Sequence, residues 1–139
     1  MPELSAFFRP SSLEAALAGV EAAGATARRI RLAEKHIEFC TNCRRCSQEP
    51  GPQRGRCHLD DDLQEILDRV EAAAGLVLAA PVNFFNINAL SRRFLERLVC
   101  YAEWPWGAHG PKVRRRDHRP PALLITTTGA TDGAKGTVE

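Results

Sequence analysis

Charge of one sign is almost missing from this chain: nineteen Lys and Arg stand against seventeen Asp and Glu, a net +2 over 139 residues. An imbalance that small gives no reason to expect a nucleic acid or a membrane surface as partner. Long apolar runs are missing too. Nothing approaches the roughly 20 uninterrupted residues of a membrane span, and Met1-Pro2-Glu3-Leu4 has neither the basic start nor the apolar stretch of a secretory signal. A cytoplasmic chain is expected. Ser-His-Asp order, a nucleophile elbow and a Walker sequence are all absent, which removes support for a hydrolase or a nucleotidase. There are no internal repeats, heptads or low-complexity tails.

What remains is 44% hydrophobic and 26% charged, the make-up of one globular domain covering residues 1–139. Leu13, Ala16, Leu17 and Val20 recur at helical spacing after Ser11, and Gly24 suits a helix stop. Ala25 to Leu32 alternates small or apolar residues with polar ones and predicts a strand with one wet face. A second helix is predicted from Asp60-Asp61-Asp62, whose carboxylates suit a helix start, with Leu63, Ile66, Leu67 and Val70 inward. Gly75 ends it. Leu76 to Ala80 then reads as a parallel strand buried on both faces and broken by Pro81. Asn88 caps a third helix to about Tyr101, with Leu90, Phe94, Leu95 and Leu98 inward and Arg92, Arg93, Glu96 and Arg97 facing water. Tyr101 to Pro121 is irregular, and Ala122 to Thr128 is a further buried strand opening onto Gly129.

Helices alternating with buried strands predict an α/β fold with a parallel sheet. Ligands of such sheets sit beyond the carboxyl ends of the strands. Two segments are therefore candidates: Pro81 to Asn88, and Thr126 to Gly133.

Residues 38–58 form a long loop without periodicity, and four of the five cysteines lie in it as Cys40-x2-Cys43-x2-Cys46-x10-Cys57. Two-residue gaps let successive thiolates converge on one centre. Three in a row favour a 4Fe-4S cluster, with zinc, completed by Cys57 or His58, behind it. Arg44, Arg45, Arg54 and Arg56 offset the charge of a tetrathiolate or, without metal, lower the thiol pKa values. A redox-active dithiol and unliganded surface cysteines therefore stay open, while Cys100 reads as buried packing.

The succession of helix, strand, Cys loop, acidic helix start, buried strand, Pro81-Val82-Asn83-Phe84-Phe85 and the helix with Arg93-Phe94-Leu95-Glu96-Arg97 resembles the flavodoxin-like NADPH-dependent FMN reductases, most of all the iron-sulfur flavoproteins. The resemblance runs from about Ser11 to Gly133. It implies a flavodoxin-like three-layer α/β/α fold, with the sheet incomplete because the chain is short at both ends. It also implies an FMN site in which Pro81, Val82, Asn83, Phe84 and Phe85 border the isoalloxazine ring and Thr127, Thr128 and Gly129 form the loop after the next strand. Arg9, Ser11 and Ser12 stand where the family wraps the FMN phosphate, without the family's preceding glycine. No acid or base side chain is assigned to catalysis, because hydride transfer to a flavin requires none.

The activity implied is FMN-dependent NAD(P)H oxidoreduction, with electrons passed to a quinone, another flavin, a redox protein or the Cys site. The alternative is a non-enzymatic metal-binding or electron-carrier module using only the Cys loop. A variant topology or oligomerisation is expected to complete the sheet, and a homo-oligomer is expected. Lys112 to Arg116, with His118 and Arg119, is a candidate for the NADPH 2′-phosphate or a solvated basic loop. Trp104-Pro-Trp106 is a candidate for stacking on a cofactor, anchoring an interface or packing on its own domain.

Overall fold

A computed structural model describes residues 11–114 and 120–127. Helix α1 spans Ser11–Ala22, and Leu13, Ala16, Leu17 and Val20 share its half-buried face. Gly24 closes it at φ +79°, where a Cβ would be strained. The strand predicted over residues 25–32 does not form. Ile30 and Leu32 instead pack against a helical core, and residues 32–34 make a 3-10 turn. Further on, carboxylates take the part of a neighbouring strand: the N–H of His36 donates to Asp62 and that of Glu38 to Asp61, both at 2.8 Å.

Within the Cys loop one helical turn, α2, covers Arg45–Gln48. Helix α3 spans Leu63–Ala72 and buries Leu63, Ile66 and Leu67. It leads into strand β1, Leu76–Asn83, which pairs in parallel with β5, Ala122–Thr127, from Leu76 opposite Ala122 to Pro81 opposite Thr127. Pro81 does not break β1. Its carbonyl accepts from the Asn88 N–H at 3.1 Å, so its ring faces away from β5, and the missing N–H leaves no bond to β5 unmade.

The turn after β1 is tighter than a loop. Strand β2, Asn86–Ile87, folds back antiparallel so that Val82 faces Ile87 and Asn83 faces Asn86. Phe84 and Phe85 form the two-residue turn at φ +48° and +64°. Helix α4, Ala89–Arg97, is capped by Asn88, whose side-chain oxygen accepts from the Ser91 N–H at 2.8 Å. A 3-10 turn over Leu98–Tyr101 follows, then β3, Ala102–Glu103, paired with β4, Lys112–Val113.

The α/β class and the parallel pairing are as the sequence predicts. The burial is not. Of β1 only Ala80 is buried, and Leu123 and Leu124 of β5 are each 53% exposed. The buried cluster is Ile37, Cys46, Leu63, Ile66, Leu67, Phe94 and Cys100. Helices α3 and α4 thus share a core with Ile37, Cys46 and Cys100, a cluster that contains no residue of the sheet. Among the described residues no helix is long and apolar enough to cross a membrane.

Candidate functional site

Cys40, Cys43, Cys46 and Cys57 line one pocket, together with Thr41, Asn42, Arg44, His58, Leu59, Arg97 and Val99. The loop folds this way because its backbone is pinned from outside. Arg114, 5% exposed, donates from Nη1 to the carbonyls of Gly51 and Gln53 at 3.0 Å, and from Nη2 to those of Cys46 at 3.3 Å and Glu49 at 2.5 Å. The residue placed in a basic patch is therefore a buried clamp on the Cys loop, because a guanidinium fork can serve several carbonyls at once. Arg115, Arg116, His118 and Arg119 lie outside the described residues.

Arg44, in the left-handed region at φ +59°, lies 4.4 Å from the Trp104 ring and 4.1 Å from that of Trp106, and donates to the Trp104 carbonyl at 2.8 Å. Gln48 bonds the Trp104 carbonyl and the Trp106 N–H. The Trp pair packs against Arg44 and Gln48 of its own domain, and Trp106 stays 69% exposed. Gly55 presses against the loop from the other side: a Cβ there would lie 1.6 Å from the Cys46 carbonyl oxygen. Its N–H donates to the Cys100 carbonyl at 2.9 Å.

The thiols differ. A backbone hydrogen bond from Arg45 lowers the exposed Cys43 thiol, helped by the Thr41 side chain against some burial, and its sulfur lies 3.5 Å from His58 Nδ1. Burial raises Cys46, and Cys57, Cys40 and Cys43 add to this by like charge. Cys100, 1% exposed, is pushed up to about 12 by burial. It is the packing residue expected.

The guanidinium nearest this chemistry is one the sequence reading put in water. Arg97 is buried with its side chain 1% exposed, and it pairs with Asp61, 0% exposed, at 2.6 Å and 3.3 Å. Burial alone would raise the Asp61 carboxyl; Arg97 and the N–H groups of Glu38 and Leu63 hold it below its ordinary value. The signal was present: Leu90, Phe94 and Arg97 follow i, i+4, i+7, which sets Arg97 on the buried face of α4. Of the four arginines read as counter-charge, Arg44 is stacked and Arg54 is paired with Asp68 and Glu71. Arg45 and Arg56 remain exposed.

The four thiols share a pocket, although among the described residues no three His, Cys, Asp or Glu side chains close to the geometry of one metal ion. Around a single zinc, tetrahedral thiolates at about 2.3 Å stand roughly 3.8 Å apart. Four thiols lining one pocket are a donor set that either zinc or an iron-sulfur cluster takes.

The second candidate lies at the carboxyl edge of the parallel pair, where the register sets Pro81 against Thr127. Phe84 and Phe85 are each 96% exposed and meet edge to face at 5.8 Å. Two open rings beside exposed Asn83 and Thr127 offer an apolar face and hydrogen-bonding groups, the two features a flavin ring engages. Ser11 and Ser12 begin α1. Their side chains, and Arg9, Thr128 and Gly129, lie outside the described residues.

Comparison with known proteins gives a match over residues 8–139 to the family described as NADPH-dependent FMN reductase. An iron-sulfur flavoprotein of Archaeoglobus fulgidus is 31% identical over 93 residues, covering 67% of this chain and 40% of that protein. One of Methanocaldococcus jannaschii is 34% identical over 68 residues, 49% of this chain and 33% of that protein. The chain thus spans less than half the length of these relatives. No solved structure gives a significant match.

Proposed function

Because the chain belongs to the NADPH-dependent FMN reductase family, we propose that it is an FMN-dependent oxidoreductase, taking reducing equivalents from NAD(P)H and passing them to a quinone, a flavin or a redox protein. The observation that carries this reading is the register of Pro81 against Thr127, which brings two candidate flavin segments to one sheet edge. When bound, FMN supplies hydride and single-electron chemistry. Val82, Asn83, Phe84 and Phe85 would hold the ring, with peptide N–H groups and the Asn83 amide for its polar edge and the two Phe rings for its apolar face. Ser11 and Ser12, which begin α1, would hold the phosphate together with Arg9, as helix starts do, and Thr127, Thr128 and Gly129 would contribute to the same cofactor site.

Cys40, Cys43, Cys46 and Cys57 would hold a 4Fe-4S cluster, which supplies one-electron storage. Support comes from the single pocket that the four thiols line and from the printed names of both relatives. Oxygen-free purification followed by assays of flavin, iron, acid-labile sulfide and zinc tests both sites. FMN with iron and sulfide is expected, and Cys43→Ala should lose the iron and keep the flavin. A preparation that takes up no FMN sinks the oxidoreductase. A second reading, an electron-carrier module using only the Cys loop, is favoured by one observation: the buried core takes in Cys46 of that loop while the β1–β5 pair stays open. Iron without flavin would establish it.

A further inference from the structure

The thiol pocket has a charged wall. Arg97 lines it with the four cysteines. Nη1 donates to Asp61 at 2.6 Å and to the Glu38 carbonyl at 2.7 Å, and Nη2 donates to Asp61 at 3.3 Å. Cys57 lines the same pocket as the guanidinium. It is thus held by a buried carboxylate and a carbonyl while it lines the pocket of the four sulfurs.

We propose that Arg97, a buried cation in the wall of the thiol pocket, sets the electron affinity of the four-thiolate site. The inference rests on the reading of that site as a cluster centre. An electron added to a thiolate-ligated centre adds negative charge, which a buried cation stabilises more strongly than one in water. Hydrogen bonds to the ligand sulfurs act in the same direction. Asp61 is the other half of the device. Its negative charge offsets part of the cation, and the pair acts as a fixed dipole with its positive end at the thiol pocket.

This arrangement has a signature that mere loosening of the fold does not share. Neutralising Arg97 makes reduction harder, whereas neutralising Asp61 leaves the cation uncompensated and makes reduction easier. The test uses the full chain, reconstituted without oxygen from ferrous iron and sulfide, as wild type, Arg97→Gln, Arg97→Lys and Asp61→Asn. Iron and sulfide content and the midpoint potential are read. Arg97→Gln should weaken the reduction equilibrium about tenfold, or about 59 mV for one electron. Arg97→Lys should stay closer to wild type, and Asp61→Asn should shift the opposite way. Should Arg97→Gln fail to fold, Asp61→Asn decides the matter: easier reduction supports the role of Arg97, and an unmoved or lowered potential overturns it. Wild-type iron with an unmoved potential in Arg97→Gln, or shifts of one sign in every variant, overturns the role of Arg97 while leaving the cluster standing. A wild-type chain that takes up no iron and sulfide overturns the cluster itself.

Discussion

Replacing Phe84-Phe85 by Asn-Gly should stabilise the fold and weaken flavin binding. Both Phe residues sit in the left-handed region, at φ +48° and +64°, where an ordinary L residue costs about 1–2 kcal/mol. Asn tolerates that region and Gly occupies it freely, and Asn-Gly is the preferred pair for a two-residue hairpin of this kind. Three terms oppose the gain. Gly adds about 0.5–1 kcal/mol of backbone entropy to the unfolded chain. The edge-to-face contact at 5.8 Å is lost, worth at most about 1 kcal/mol at so exposed a site. Burial contributes almost nothing, because each ring is 96% exposed. The balance is a gain of about 1 kcal/mol, to be read as a higher urea midpoint at unchanged slope. If the strain is kept because the rings serve a flavin, as strain at binding sites commonly is, FMN titration of the same variant should show weaker affinity. A variant that unfolds at lower urea would refute the strain argument, and one that gains stability with full FMN affinity would remove the rings from the flavin site.

The remaining predictions concern the Cys loop. Gly55→Ala should cost about 3 kcal/mol or more by urea unfolding, because its Cβ would meet Cys46 backbone atoms at 1.6–3.0 Å, whereas Gly19→Ala in α1 meets nothing and should gain about 0.5–1 kcal/mol. Arg114→Met should cost about 3 kcal/mol, since four carbonyls lose their donor together, and iron uptake should fall with it. Asp61 has a lowered folded pKa, so its contribution is present above the ordinary carboxylate value near 4 and is lost as pH falls through the lower folded value. Denaturant midpoints measured downward from about pH 5 should therefore drop more steeply in wild type than in Asp61→Asn. Arg44→Ala frees both Trp rings and should shift Trp emission to the red without unfolding the chain.

Local patterns were readable where the residue's own helix or strand decides its environment. Gly24, Asn88 and the apolar faces of α1, α3 and α4 are such cases, and so are the two β-branched or Leu-rich runs that pair in parallel. Patterns failed where a distant group takes over a backbone donor. The alternation of residues 25–32 looks like a strand, but Ile30 and Leu32 face helices, and farther along the same segment the amides of His36 and Glu38 are satisfied by Asp62 and Asp61. The Asp triplet looked like a dipole match and is mainly an acceptor for that segment. Phe-Phe carries no turn signal, so the hairpin at Phe84 and Phe85 was hidden behind chemistry that usually forbids it. Arg97 and Arg114 were misplaced for one reason: composition treats arginine as a surface charge, while five donors in a plane let it replace missing secondary structure inside a loop.

That substitution explains how an aperiodic loop can be held in place. Residues 38–58 form one helical turn and no ladder, so ordering them costs backbone entropy of about 1–2 kcal/mol per residue with few of the usual bonds in return. The return comes instead from Arg114 on the carbonyls of Cys46, Glu49, Gly51 and Gln53, from Asp61 on the Glu38 amide, and from Arg44 between two indoles. The effort holds four thiols around one pocket, among which Cys46 is raised by burial and then by the like charge of its neighbours. A loop selected only for packing gains nothing by gathering thiols around a single pocket beside a fixed cation. One that receives a multiply charged metal centre gains a cradle ordered in advance, so that binding does not bear the whole cost of ordering the chain.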